Sequence, residues 1–310
     1  MKAVRIHEFG GIDVLRVEDI SQPKPGEGEV LVFVHAASVN PVDYKIREGR
    51  YPAVKADQLP VVLGRDVAGV VTEVGAGGGR FKPGDEVFAM LPPDRGGYAE
   101  WVTLPADLCA AKPASLDFVQ AASVPLAALT AWQGLFDHGH LEAGQRVLIH
   151  GASGGVGSFA VQFAKVRGAE VYATAAAENR PFVQGLGAGR VIDYKTERFE
   201  DVVHDADLVY DLIGGETEER SWQVLKRGGT LVSTVHQPDA ERAAKADVRA
   251  TRYTAQPSGD QLAEIAALID QGKVRVTIDK VFPLDEAAEA ERHLKDDHVV
   301  GKVVLSVAGG

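Results

Sequence analysis

The sequence contains one cysteine, Cys109, and only two methionines in 310 residues. One thiol cannot close a disulfide within the chain, and a thiolate zinc cluster needs several. Following "LPADL", Cys109 reads as a small, half-buried apolar residue and not as a reactive thiol. Positive charge is also scarce. Lys and Arg number 33 against 44 Asp and Glu, a net charge of −11, which argues against nucleic acid or an anionic membrane as a partner. Long apolar runs are missing as well. "MKAVRIHEFGG" lacks the apolar core of a secretion signal, and no stretch approaches the roughly 20 residues of a membrane span. A cytoplasmic, reducing compartment is the expectation. What is present, 45% hydrophobic and 25% charged residues, suits a globular chain long enough for two domains.

The first third alternates short strands and turns. "KAVRIHE", "VLRVEDI" and "VLVFVHAASV" read as strands, and "VAGVVTEVGAGGGRFKPGDEVFAML" adds two more, giving barrel-like or sandwich-like β character. From about Ser115 the texture changes. "FVQAASVPLAALTAWQGLF" reads as a helical segment, and strand–helix alternation follows through "RVLIHG", "EVYAT", "RVIDY", "DLVYDLIG" and "GTLVSTV". That order implies βαβ units and a parallel sheet. β texture returns in "VRVTIDKVFPL", and a short helix "DEAAEAERHLK" precedes a last strand, "GKVVLSV". The expected organisation is α/β, with a β-rich domain over residues 1–118 and 273–310 interrupted by a parallel-sheet domain over 119–272.

The stretch "HGASGGVG" places four glycines within seven positions, between the strand "RVLIHG" and an apolar helical face at Val156, Phe159, Ala160, Phe163 and Ala164. A helix N-terminus offers unpaired N–H groups and positive dipole to phosphate, and glycine lets the backbone approach a pyrophosphate. The expected cradle of a dinucleotide is therefore Gly151, Ser153, Gly154, Gly155, Val156 and Gly157. Sites for NAD usually carry an acid at the end of the next strand. Here that strand ends in Thr174 and Ala175, Arg180 follows, and Tyr194 and Lys195 end the third strand. A 2′-phosphate finds cations and hydroxyls there, so NADPH is the expected cofactor, although Glu178 counts against it.

Taken in order, "SVNPVDYKIREGRYP", "LPVVLGRDVAGVVTEVG", "FKPGDEVFA", "GGYAEWV", "AASVPLAALTAWQGL", "HGASGGVG", "VYDLIGG" and "GKVRVTIDKVFPLDEAAEAERHLKDDHVVGKVVL" resemble the medium-chain dehydrogenase/reductase superfamily. The likeness is to its zinc-independent quinone oxidoreductase group, which includes zeta-crystallin and plant enone oxidoreductases. It spans almost the whole chain. It implies a GroES-like β domain that carries the substrate site, a Rossmann domain that binds NADPH, and a homodimer paired through the edge strands of the Rossmann sheets.

The zinc ligands of the superfamily's alcohol dehydrogenases are not matched. The Cys-bearing segment reads "NPVDYK", the Gly-His-Glu motif reads "LGRDVAG" with Arg65 and Asp66, and the third ligand position falls near Leu126. No metal is expected. Without a Lewis acid the substrate must already be electrophilic, a quinone or the C=C of an α,β-unsaturated carbonyl, and the protein must orient NADPH, stabilise an oxyanion and deliver a proton.

The resemblance implies Tyr51 as proton donor and Asn40 as a residue bonding the nicotinamide ribose or the substrate carbonyl. Lys45 could stabilise the oxyanion or reach the cofactor, and Asp43 and Tyr44 could hold the loop. Arg65 could pair with Asp66 or face the cleft. Further cofactor contacts implied by the resemblance are Thr130, Ile213, Gly214, Ser233, Val235, Gly301 and Lys302, while Asp211 would tie the end of its strand. The first functional reading is an NADPH-dependent quinone or enone reductase. The second is an NADPH-binding protein of crystallin or nucleotide-sensing type with little turnover.

Overall fold

A computed structural model describes residues 1–77 and 79–307. The contacts divide the chain into two units, Met1–Leu126 together with the C-terminal part from Gln256, and Ala127–Ala255.

In the first unit, β1 (Lys2–Ile6) pairs antiparallel with β2 (Arg16–Asp19), and β3 (Glu29–Val39) leads into helix α1 (Pro41–Arg47). β4 (Val61–Val62) joins β1, and β5 (Asp66–Val74), β6 (Glu86–Met90), β7 (Trp101–Pro105) and β8 (Cys109–Ala111) complete the N-terminal strands. β3 is the long apolar run because it is central: β5 and β7 both pair with it, and eight of its eleven residues are buried. α1 starts at Asn40 through a capping box, in which Asp43 accepts from the Asn40 backbone N–H at 2.7 Å, with Pro41 at the first helical position. Cys109 is fully buried, deeper than its expected half-buried setting, and burial pushes its thiol up to about 12.

The stretch expected as one helical segment is broken. α2 (Phe118–Ala122) ends where the Ser123 hydroxyl donates to the Gln120 carbonyl at 2.6 Å, and α3 (Pro125–Trp132) restarts at a proline that has no N–H to continue the first helix. A wider, π-type turn over Gln133–His138 follows.

The second unit contains β9 (Arg146–Ile149), α4 (Gly155–Arg167), β10 (Glu170–Ala175), α5 (Arg180–Gly185), β11 (Arg190–Asp193), β12 (Ala206–Asp211), α6 (Glu216–Ser221), β13 (Leu225–Ser233), α7 (Ala240–Ala246) and β14 (Arg249–Arg252). The six strands are parallel, in the order β11-β10-β9-β12-β13-β14. This is the doubly wound dinucleotide-binding order, with its switch point between β9 and β12. β14 reads "RATR" and carries no apolar pattern; it forms at the sheet edge by pairing with β13.

The chain then returns to the first unit through α8 (Gly259–Asp270), β15 (Ile278–Pro283), α9 (Ala287–Asp296) and β16 (Lys302–Ser306). α8 packs on β8, so contacts assign it to the β-rich unit, whereas the change of sequence texture groups it with the α/β stretch. β16 runs antiparallel to β3, with Val303 opposite Val39, and parallel to β15. Among the described residues no helix is long and apolar enough to cross a membrane.

Candidate functional site

The glycine turn sits where the sequence places it, between β9 and α4. Gly151 has φ +76°, a left-handed conformation that side chains resist, and a Cβ at Gly157 would lie 2.2 Å from the Gly151 carbonyl oxygen. The turn is thus folded onto the first turn of its own helix. Ser158 N–H is the first to close a helical bond, onto Gly154 O at 2.9 Å, so those of Gly155, Val156 and Gly157 have no partner within α4. The turn is braced from below. Ala152 N–H donates to Thr174 O at 3.1 Å, and fully buried His150 lies between Thr174 Oγ1 (3.1 Å) and Ser221 Oγ (3.0 Å).

Thr174 is therefore turned inward, only 4% exposed, with its hydroxyl also accepting from Gly151 N–H at 3.4 Å. Parallel pairing of Ala175 with Asp193 brings the ends of β10 and β11 together and gathers Arg180, Tyr194 and Lys195 around them. Tyr194 is 55% exposed. Neither cation is unopposed: Arg180 pairs with Glu197 at 2.5 Å and Lys195 with Glu178 at 3.4 Å. Arg190 also pairs with Glu197. The role of Glu197 was not legible beforehand, since nothing in "YKTERFE" says which cation its carboxylate turns to. Ser153 lies close by, its hydroxyl 3.4 Å from Asn179 Nδ2.

At the ends of β12 and β13, Asp211 ties its strand as expected, accepting from the N–H groups of Ile213 (3.0 Å) and Gly214 (2.9 Å) and from Ser233 Oγ (3.2 Å). Ser233 is fully buried in this knot, whereas Ile213 and Val235 are exposed. Thr130, expected as a contact, is buried, and its carbonyl accepts from the hydroxyls of Tyr210 (2.9 Å) and Tyr253.

The first unit carries the residues expected to do chemistry. Tyr51, four residues beyond α1, is half-buried on the cluster of Val4, Ile6, Val39 and Ile46, and Lys45 is half-buried on α1 itself. Asn40 is 1% exposed, and its amide is engaged at both ends. Nδ2 donates to Asp66 Oδ2 at 2.8 Å, and Oδ1 accepts from Lys302 Nζ. This geometry places Asn40 in a hydrogen-bonded anchor between Asp66 and Lys302. Lys302, implied as a cofactor contact, is likewise turned into its own unit, 4% exposed and donating to Val39 O at 3.2 Å. Gly301 precedes it at φ +85°.

Asp66 does not pair with Arg65. It accepts from Ser38 Oγ at 2.6 Å and Leu126 N–H at 2.7 Å, and Lys302 Nζ lies 4.0 Å away. Arg65 instead donates Nε to Leu91 O at 2.8 Å and is 3% exposed. The three segments where zinc ligands would be sought thus converge on the Asp66 carboxylate, and what meets it is an amide, a hydroxyl, a backbone N–H and an ammonium. Burial disfavours charge on both Asp66 and Lys302, raising the carboxyl and lowering the ammonium, while their mutual attraction opposes both shifts. Among the described residues no three of His, Cys, Asp and Glu are grouped to hold a metal.

On the inner face of α1, Asp43 accepts from Tyr98 as well as from Asn40, and Arg47 pairs with Glu291 at 2.7 Å, all buried. The N-x-x-D spacing was the one sequence signal for Asp43; Tyr98 and Glu291 gave none.

Residues 26–114 match the alcohol dehydrogenase GroES-like domain and residues 186–305 the zinc-binding dehydrogenase family. The chain is 38% identical to the chloroplastic NADPH-dependent alkenal/one oxidoreductase of Arabidopsis thaliana, over 98% of this chain and 79% of that one. It is similar to the solved structure of the quinone oxidoreductase from Coxiella burnetii, with a TM-score of 0.91 at 36% identity and 99% of each chain covered. It also resembles the Escherichia coli quinone oxidoreductase complexed with NADPH, with a TM-score of 0.89 at 30% identity over 99% of this chain and 100% of that one. With matching sequence, sheet order and glycine turn, the chain belongs to the medium-chain dehydrogenase/reductase superfamily, in the group of quinone and alkenal/one oxidoreductases.

Proposed function

We propose that this protein is an NADPH-dependent reductase of quinones or of the C=C bond of α,β-unsaturated carbonyls. The observation that carries the reading is the turn from Gly151 to Gly157, folded so tightly that a Cβ at Gly157 has no room, opening a helix whose first N–H groups are unpaired. The residues fit NADPH: the strand-end acid typical of NAD sites is replaced by inward-facing Thr174, and Arg180, Tyr194 and Lys195 gather beside it.

When bound, NADPH supplies the hydride. The turn would hold its diphosphate, and Arg180 and Lys195, now paired with Glu197 and Glu178, would supply the cations for its 2′-phosphate. Exposed Ile213 and Val235 offer an apolar surface at the strand ends for the nicotinamide half. On the substrate side, Lys45 would stabilise negative charge on the carbonyl or quinone oxygen and Tyr51 would neutralise it by donating its hydroxyl proton. On this segment we assign the substrate-side roles to Tyr51 and Lys45, and the anchoring role to Asn40 with Lys302.

The family resemblance implies a homodimer paired through an edge strand of the six-stranded sheet, for which we propose β14, and the single cysteine is the ground for proposing a reducing, cytoplasmic compartment. The test is oxidation of NADPH, with NADH as control, by a 1,4-quinone, a 2-alkenal and a cyclic enone. We expect turnover with NADPH preferred and a loss of roughly a hundredfold in kcat for Tyr51→Phe. Tight NADPH binding without turnover on any of the three would replace this reading with that of a binding protein.

A further inference from the structure

Lys302 and Asp66 form a buried charge pair whose shared partner is the side chain of Asn40. The two ends of that amide are not equivalent here. Its oxygen faces an ammonium and its NH₂ a carboxylate, so a flipped amide would set like polarity against both groups. Asn40 is also the residue from which α1 starts. A helix of seven residues has little stability of its own, and its direction is set by what anchors it. Lys302 additionally holds the Val39 carbonyl, so two consecutive residues at the β3–α1 junction are tied to the C-terminal strand β16.

We infer that Lys302 and Asp66 are positioning residues, which hold the Asn40 amide and thereby aim the segment from α1 to Tyr51, and that Lys302 is not a cofactor ligand. The inference rests on the reductase reading for its consequence but on the Asn40 geometry for its substance. A buried ion pair is a poor source of net stability, since an apolar pair of similar volume is often as stable. What it contributes is selection of one amide orientation and one exit angle for the chain.

The experiment uses the full chain with four substitutions: Lys302→Met, Asp66→Asn, the two combined, and Lys302→Arg. Each is measured for thermal midpoint, NADPH dissociation constant, kcat and KM with a 1,4-quinone, and hydrogen exchange of the amides from 42 to 51. Lys302→Met alone leaves Asp66 buried without its cation, so the double variant is the decisive one. We expect it to keep the wild-type midpoint within a few degrees and NADPH affinity within about twofold. Its kcat should fall roughly tenfold or more, with faster exchange confined to the α1 segment, because small misplacements of a reacting group cost this much. Lys302→Arg should recover part of the loss.

NADPH affinity falling by the same factor as kcat/KM would make Lys302 a cofactor ligand and overturn the inference. Unchanged kcat with unchanged exchange would overturn it equally. If the wild type turns over no quinone or enone, the reductase reading fails instead, and exchange and NADPH affinity still decide the role of the pair.

Discussion

Tyr98 donates its phenolic hydrogen to Oδ2 of Asp43 over 2.9 Å, and both side chains are fully buried. The same oxygen accepts from Asn40 N–H, while Oδ1 of Asp43 and Oε1 of Glu291 are both buried without a hydrogen-bond partner. Burial pushes the Asp43 carboxyl up to about 7, with the like charge of Glu291 adding to it and the Asn40 and Tyr98 hydrogen bonds opposing.

A raised carboxyl holds its proton in the folded state over a range where the unfolded chain has lost it. Stability from this group is therefore complete below the ordinary carboxylate range of about 4 and is lost as pH rises towards 7. Asp43→Asn keeps the shape and the acceptor without the titration. Urea unfolding at steps from pH 4 to 8 should show the variant gaining on the wild type as pH rises, and parallel profiles would count against a protonated Asp43.

His150 has the opposite sign. Burial lowers its pKa to about 4, so the unfolded chain takes up a proton near pH 6.5 that the folded chain refuses. Stability is lost as pH falls from about 6.5 to about 4, by up to roughly 3 kcal/mol from this group. His150→Gln removes the titration and retains groups able to bond Thr174 and Ser221. The variant's thermal midpoint should be less sensitive to acid than the wild type's across that window, and an equally steep decline would show that another group dominates.

Gly157→Ala and Gly154→Ala separate folding from binding at the turn. A Cβ at Gly157 would lie 2.2 Å from backbone oxygen, whereas at Gly154 the nearest atom is 3.6 Å away. Gly157→Ala should cost on the order of 2 kcal/mol or more, because backbone must move. Gly154→Ala should leave the thermal midpoint nearly unchanged and weaken NADPH binding, since its methyl group occupies the approach of the diphosphate. Calorimetry and a fluorescence titration of both variants check this, and equal stability of the two would refute the packing argument.

Arg180 and Glu197 form a pair that cofactor choice can read. Losing a charged hydrogen bond to phosphate costs about 1.5–3 kcal/mol, so Arg180→Ala should lower the NADPH over NADH preference roughly tenfold to a hundredfold. Glu197→Gln, which leaves Arg180 less neutralised, should raise NADPH affinity. Ratios of kcat/KM for the two cofactors give the answer, and an unaltered ratio in Arg180→Ala would move the 2′-phosphate to Lys195 and Tyr194.

Much of this protein is local in origin. The period-2 apolar runs, the strand–helix alternation from β9 onward and the glycines of "HGASGGVG" each act through near neighbours in the chain, so the β-rich and doubly wound sheets and the phosphate turn could be read directly. The break at Pro125 lay in the sequence but was masked by the surrounding apolar residues, and β14 was hidden because a polar edge strand exists only by virtue of β13 beside it. The sequence by itself determined the sheet types, the turn and the absence of Cys and His where the resemblance would place zinc ligands. Only the tertiary structure decided where long polar side chains point. Lys302 lies 262 residues from Asn40 and Arg180 17 from Glu197, and a flexible charged side chain takes whichever partner the packed backbone brings within reach.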